Sequence, residues 1–187
     1  MSARVIYSFT VSLDGYINDA NGALDWGGID DETHGWFNDR ARESAAFLYG
    51  RRLYETMAPY WPNALEDNTI SEVELDFARI WVDKPKVVFS HTLERVGWNS
   101  RLTDQDIVDA LPALKDEFDG DLDVGGAHLA SRLIARNLVD EYRLIVAPVA
   151  IGGGTPFFPP GVRLDLELVE TSRFTNGSVL LIYRPRH

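Results

Sequence analysis

The chain has 187 residues with 29 acidic and 18 basic side chains, a formal net charge of −11, and 45% of it is hydrophobic. This length suits one domain with a substantial buried core, and the composition is too apolar for intrinsic disorder. The absence of Cys excludes a disulfide framework, a thiolate nucleophile and an iron–sulfur cluster, and a pI near 4.7 argues against general nucleic-acid binding.

Met1-Ser2-Ala3-Arg4 runs into a strand-like segment without the apolar stretch of a signal peptide. No window approaches the roughly 18 apolar residues of a membrane span, so a soluble cytoplasmic protein is expected. Val5–Leu13 (VIYSFTVSL) predicts the first strand. Asp14-Gly15 and Asn21-Gly22 mark turns in a long loop ending near Asp25–Gly28, and residues 31–44 read as a helix. Ala45–Tyr49 (AAFLY) is continuously apolar, as in a strand buried on both faces. It ends at Gly50, where Arg51-Arg52-Leu53-Tyr54-Glu55 opens a helix that Pro59 and Pro62 break.

Residues 72–82 predict another helix and Lys86–Ser90 (KVVFS) a second buried strand. Thr103 and Asp106 have capping-box spacing, and Ile107, Val108, Leu111, Leu114 and Phe118 share one helical face that Pro112 kinks or divides. Leu122–Val124 predicts a strand, Gly125-Gly126 a turn, 127–137 a helix and Leu138–Pro148 a strand. Leu166–Phe174 and Val179–Arg184 flank Asn176-Gly177, a type I′ hairpin signal. Strands alternating with helices before a terminal hairpin imply an α/β fold, with a mostly parallel sheet and an antiparallel edge.

In such sheets ligands bind beyond the carboxyl ends of the strands, where helix N-termini present unpaired N–H groups. Three strand ends carry suitable chemistry. Gly50-Arg51-Arg52 offers close backbone approach and two guanidiniums for phosphate; the alternative is two solvated arginines opening a helix. Ser90-His91-Thr92 offers hydroxyls and an imidazole, although Ser and Thr are also ordinary loop residues. Asp123-Val124-Gly125-Gly126-Ala127-His128 can cradle a pyrophosphate on backbone amides or simply make a tight strand-to-helix turn. The three together are more persuasive than any one.

Ile151-Gly152-Gly153-Gly154-Thr155-Pro156 lacks the ending of a P-loop, leaving a flexible crossover as its plain reading. His34, His91, His128 and His187 show no metal-ligand spacing, so no metal site is expected. No GxSxG elbow is present for serine hydrolase chemistry. Asp30-Asp31-Glu32 suits a helix start, and one of these acids facing a pocket can direct protonation of a heterocycle.

Four segments, in order and over nearly the whole chain, resemble the RibD C-terminal domain family of bacterial riboflavin-biosynthesis reductases, within the dihydrofolate reductase-like superfamily. They are Phe9–Ile17 (FTVSLDGYI), Gly50–Glu55 (GRRLYE), Asp123–Leu129 (DVGGAHL), and Leu138–Glu141 leading into Ala147–Phe158 (APVAIGGGTPFF). The resemblance implies a three-layer α/β/α domain that binds NADPH and reduces a small heterocycle or imine. It carries Gly50, Arg51, Arg52 and Leu53 onto the cofactor phosphate region, with Leu53 in place of a frequent Thr. Ser90, His91 and Thr92 fall beside the adenosine phosphate, Gly125, Gly126, Ala127, His128 and Leu129 under the pyrophosphate, and Val11, Tyr16 and Ile17 over the nicotinamide.

Asp14 and Asp31 are the implied catalytic carboxylates. The implied reaction resembles that of 5-amino-6-(5-phosphoribosylamino)uracil reductase. The alternatives are a dihydrofolate reductase, or a non-catalytic nucleotide- or flavin-binding module on the same fold. A homodimer is expected. Residues 20–40 and 59–75, the implied substrate end, are acidic and aromatic, and the arginines in or next to them are Arg40 and Arg42.

Overall fold

The computed structural model describes residues 3–186. Eight strands form one sheet in the order β5-β4-β3-β6-β1-β7-β10-β9. The central strands are β1 (Val5–Val11), β3 (Ala46–Gly50), β4 (Lys86–Phe89), β6 (Leu122–Gly125) and β7 (Glu141–Val146), and β5 is Ser100–Thr103. All six pair in parallel. The hairpin β9 (Leu166–Arg173) and β10 (Val179–Pro185) closes one edge antiparallel. A separate two-stranded ladder joins β2 (Tyr16–Asn18) to β8 (Thr155–Pro156).

Six helices fill the connections: α1 (Asp31–Glu43), α2 (Arg51–Met57), α3 (Trp61–Ala64), α4 (Glu72–Asp83), α5 (Ile107–Glu117) and α6 (Ala127–Ile134). The expected mostly parallel α/β sheet with an antiparallel hairpin is what forms. None of the helices is long and apolar enough to cross a membrane.

Several local expectations need correction. Thr103 does not cap α5. Asp106 does, accepting from the Val108 amide at 2.9 Å, and Thr103 instead takes the Gln105 amide. True capping boxes sit at Asp30/Thr33 and Ser71/Glu74, opening α1 and α4. Pro112 lies inside α5 without dividing it. The hairpin loop is not type I′, because Gly177 has φ 88° while Asn176 is not at positive φ. The Gly177 amide donates to Phe174 and the Phe174 amide to Ser178, the pattern of a three-residue loop with its glycine at the left-handed position.

Period-two alternation divides the sheet into unlike faces. On one, Val5, Tyr7 and Val11 of β1, Leu48, Val124 and Tyr142 pack with Leu111, Leu114, Leu133 and Ile134 of α5 and α6 in a continuous core. The opposite face carries two apolar islands. Phe47, Tyr49 and Val88 pack with Tyr54 and Trp81; Ile145, Leu180 and Ile182 pack with Trp36 and Phe37 of α1. Between them lie Ser8, Thr10, Asp123, Glu141 and Arg143, placed by the registers Ile6↔Asp123, Ile6↔Glu141, Ser8↔Arg143 and Thr10↔Ile145.

Glu141 is nearly enclosed and accepts from Arg143, Arg184 and Arg4. These hydrogen bonds and charges hold its carboxyl below the usual range although burial opposes them. Asp123 has fewer partners, and burial pushes its carboxyl up to about 6 against the charges of Arg143 and Lys84.

Candidate active site

The order β4-β3-β6-β1 places four carboxyl ends side by side on one edge. At about 4.8 Å per strand these ends span about 14 Å. The row reads Ser90-His91-Thr92, Gly50-Arg51-Arg52, Gly125-Gly126 and Val11-Ser12, so all three predicted strand ends meet along one line and β1 extends it.

Gly50 is the N-cap of α2 and Gly126, at φ 102°, the N-cap of α6; neither makes a side-chain cap bond. A Cβ on Gly126 would stand 3.9 Å from the Gly50 nitrogen. Two sets of first-turn amides therefore open at nearly the same point, where an anion finds donors without displacing a cap.

The predicted residues divide by role. Arg51 and Arg52 are exposed; Arg51 pairs with Glu55 at 3.2 Å, and no described carboxylate pairs with Arg52. Gly125 is held by packing, since a Cβ there would stand 2.4 Å from Leu53 Cδ2 and 2.6 Å from the Tyr49 ring. Leu53 thus supplies the surface on which β6 ends. Leu129 is buried in the main core, and its Cβ lies 3.5 Å from where a Gly50 side chain would begin. Both leucines shape the glycine turns from beneath. Ala127 is half-buried, and His128 is exposed at the start of α6.

At the β4 end, Ser90 Oγ accepts from the Thr92 amide at 3.1 Å and the Leu93 amide at 3.0 Å, leaving His91 and Thr92 exposed. A cleft of about 560 Å³ opens there, lined by Ser90, His91, Thr103, Asp104, Gln105 and the side of α5. Thr103–Gln105 were missed by sequence reasoning. They follow β5, whose polar sequence SRLT carries no strand signal of its own.

At the β1 end, Val11 and Ile17 are buried and Tyr16 half-buried. Ser12 Oγ accepts from the Tyr16 amide, while Asp14 accepts from the amides of Ile151 at 3.1 Å and Gly152 at 2.7 Å. Asn18 Oδ1 takes the Thr155 amide, and a Cβ on Gly154 would stand 1.7 Å from the Asn18 carbonyl oxygen. The Gly-rich segment is therefore clamped to residues 12–18 rather than forming a flexible crossover. The Ser12 hydroxyl and the Gly152 and Ile151 amides hold the Asp14 carboxyl below the usual range, so at neutral pH it is an acceptor with no proton to give.

Asp31 is the exposed first residue of α1. Its neighbours are engaged: Asp30 caps the helix through Thr33 at 2.9 Å, and Glu32 accepts the Thr175 amide and hydroxyl from the hairpin loop. No hydrogen bond joins Asp14 to Asp31. His34 lies against Trp61 and Phe77, and burial lowers its pKa. Among the described residues no three His, Asp or Glu gather where a metal would be held; His187 lies outside them.

Residues 3–180 match the RibD C-terminal domain family. A protein of Bacillus subtilis (strain 168), the uncharacterized YyaP, is 31% identical over 182 residues, covering 96% of this chain and 94% of that one. A Shewanella sp. PV-4 structure assigned to riboflavin biosynthesis superposes with TM-score 0.74 at 20% identity over the whole of both chains. The Thermotoga maritima diaminohydroxyphosphoribosylaminopyrimidine deaminase/5-amino-6-(5-phosphoribosylamino)uracil reductase gives 0.68 at 18% identity, over 99% of this chain and 57% of that longer one. A pyrimidine reductase-like protein of Corynebacterium diphtheriae gives 0.60 at 13% identity, over 99% and 92%. The fold, the ordered strand ends and the family match agree: this chain belongs to the RibD C-terminal domain family.

Proposed function

We propose that the protein is an NADPH-dependent reductase that delivers hydride to a small heterocyclic or imine acceptor, a reaction of the riboflavin-biosynthesis reductase type. The observation that carries this reading is the abutting pair of uncapped glycine turns, Gly50 and Gly126, in line with two exposed arginines on one side and β1 on the other. The residues present fit the cofactor. The first-turn amides of α2 and α6 would hold its pyrophosphate, and Arg51 and Arg52 its 2′-phosphate. The cleft beside Ser90 and His91 would take the adenosine, with the nicotinamide falling near Val11, Tyr16 and Ile17. Bound NADPH would supply a hydride to the carbon of a C=N bond, whose nitrogen takes a proton.

The chain's own part is orientation and exclusion of water. The clamp from Asp14 to Ile151 and Gly152 is a positioning contact that fixes the segment bearing Tyr16 and Ile17. Asp31, exposed and free of the capping work done by Asp30, is the carboxylate at the start of α1 that would relay a proton. Homodimer assembly belongs to the same proposal and is tested by sedimentation.

Tryptophan quenching on titration with NADPH tests the cofactor assignment, with saturation below millimolar expected. Arg51→Ala and Arg52→Ala are expected to weaken NADPH at least tenfold and NADH little. Equal losses for both cofactors would show that these arginines do not read the 2′-phosphate.

A further inference from the structure

The cleft at the end of β4 has two polar loops at its mouth. The Ser90 amide donates to the Thr103 carbonyl at 2.9 Å, extending the β4–β5 ladder by one step. Ser90–Thr92 and Thr103–Gln105 therefore leave the sheet side by side, about 4.8 Å apart. Behind them the cleft is lined by the apolar groups Val87, Leu102, Ala110, Ala113 and Leu114. Toward the last turn of α5 its lining ends in Arg101 and Glu117, which pair with each other.

Several polar groups at the mouth are engaged. Ser90 Oγ holds two amides of its own loop, and Thr103 Oγ1 takes the Gln105 amide at 3.2 Å. Asp106 caps α5 through the Val108 amide at 2.9 Å and pairs with Arg132 of α6. The turn 103–106 is thus pinned at both ends. Between the pins, the exposed side chains of Asp104 and Gln105 line the cleft and have no hydrogen-bond partner among the described residues. His91, on the facing loop, is the third such group in the lining.

These groups sort the two halves of a nucleoside phosphate. A carboxylate repels phosphate and only accepts hydrogen bonds, whereas a carboxamide both donates and accepts. The Asp104–Gln105 side of the mouth therefore suits the base, and the His91 side the phosphate. Adenine presents an amino donor beside a ring-nitrogen acceptor, the edge that Gln pairs with at two points. Hypoxanthine and guanine carry a carbonyl oxygen where that amine stands, and this oxygen would face the Asp104 carboxylate. We propose that Asp104 and Gln105 read the base of the dinucleotide at its amino edge and select adenine. This rests on the reductase reading and extends it to the base of the cofactor.

The test titrates NADPH and reduced nicotinamide hypoxanthine dinucleotide phosphate into the protein and into Asp104→Ala and Gln105→Ala. The parent protein is expected to prefer the adenine form at least about fivefold. Each variant is expected to weaken NADPH by about fivefold and the hypoxanthine form by less than about twofold, with Tm unchanged because both side chains are exposed. Reduced nicotinamide mononucleotide, which has no base, is expected to bind parent and variants alike. NADPH binding without a base preference, or equal losses for both dinucleotides in the variants, would overturn the proposal and leave the cofactor assignment standing. Binding of neither dinucleotide would overturn both.

Discussion

The two faces of the sheet are built to different rules. The face under α5 and α6 is closed by aliphatic packing, and Leu48, Leu122 and Leu133 there have no exposed surface. The face under α1 gives up that continuity. Its helix buries Thr33, Asn38 and Ala41, and the strands opposite present Ser8, Thr10, Asp123 and Arg143. A purely structural layer would gain from filling such positions with apolar groups, since buried polar atoms cost free energy unless bonded. The contrast places the continuous apolar core on one side of the sheet and the buried polar groups on the other.

Three substitutions can break that contrast. The largest effect is expected from Leu133→Ala, in the continuous core. Cavity formation there should cost about 2–5 kcal/mol, read as a fall in chemical-denaturation midpoint with an unchanged slope. A loss below 1 kcal/mol would mean that this face is not the stabilising one.

Asp123→Asn is expected to act in the opposite direction and to depend on pH. The folded pKa of about 6 lies above the ordinary carboxylate value. The stability contributed by this group is therefore present in full below the ordinary carboxylate value and is lost as pH rises through about 6. The Asn variant escapes that loss, by up to about 3 kcal/mol at pH 8 and by less than about 1 kcal/mol at pH 4. Parallel melting curves at the two pH values check this, and a uniform shift at both would refute it.

The smallest effect is expected from Asp14→Ala, which should leave the global midpoint nearly unchanged. Hydrogen exchange at the Ile151 and Gly152 amides should quicken, with the core amides of β1 and β7 unaffected. The Asp14 carboxyl lies below the usual range, so native protein should show the same local loosening only in strong acid.

Much of the parallel sheet was legible because its strands are buried on both sides. AAFLY and KVVFS announce themselves by unbroken apolarity, and the glycine turns that follow mark the ligand edge. What failed to show was decided by partners distant in sequence. Ser100–Thr103 is a strand only because β4 offers it a ladder. Leu53 and Leu129 stand among cofactor-edge residues in sequence, yet they are the packing against which Gly125 and Gly50 are fitted. The clamp of Asp14 on Ile151 and Gly152 spans 137 and 138 residues, and no local pattern foretells it.

The contact of Gly154 with the Asn18 carbonyl has a consequence for how this domain can be altered. Residues 12–18 and 151–156 interlock so closely that neither retains its shape beside a foreign counterpart. A chimaera meant to import another relative's specificity at this corner has to transplant both segments together. Natural drift at either one is expected to be answered at the other.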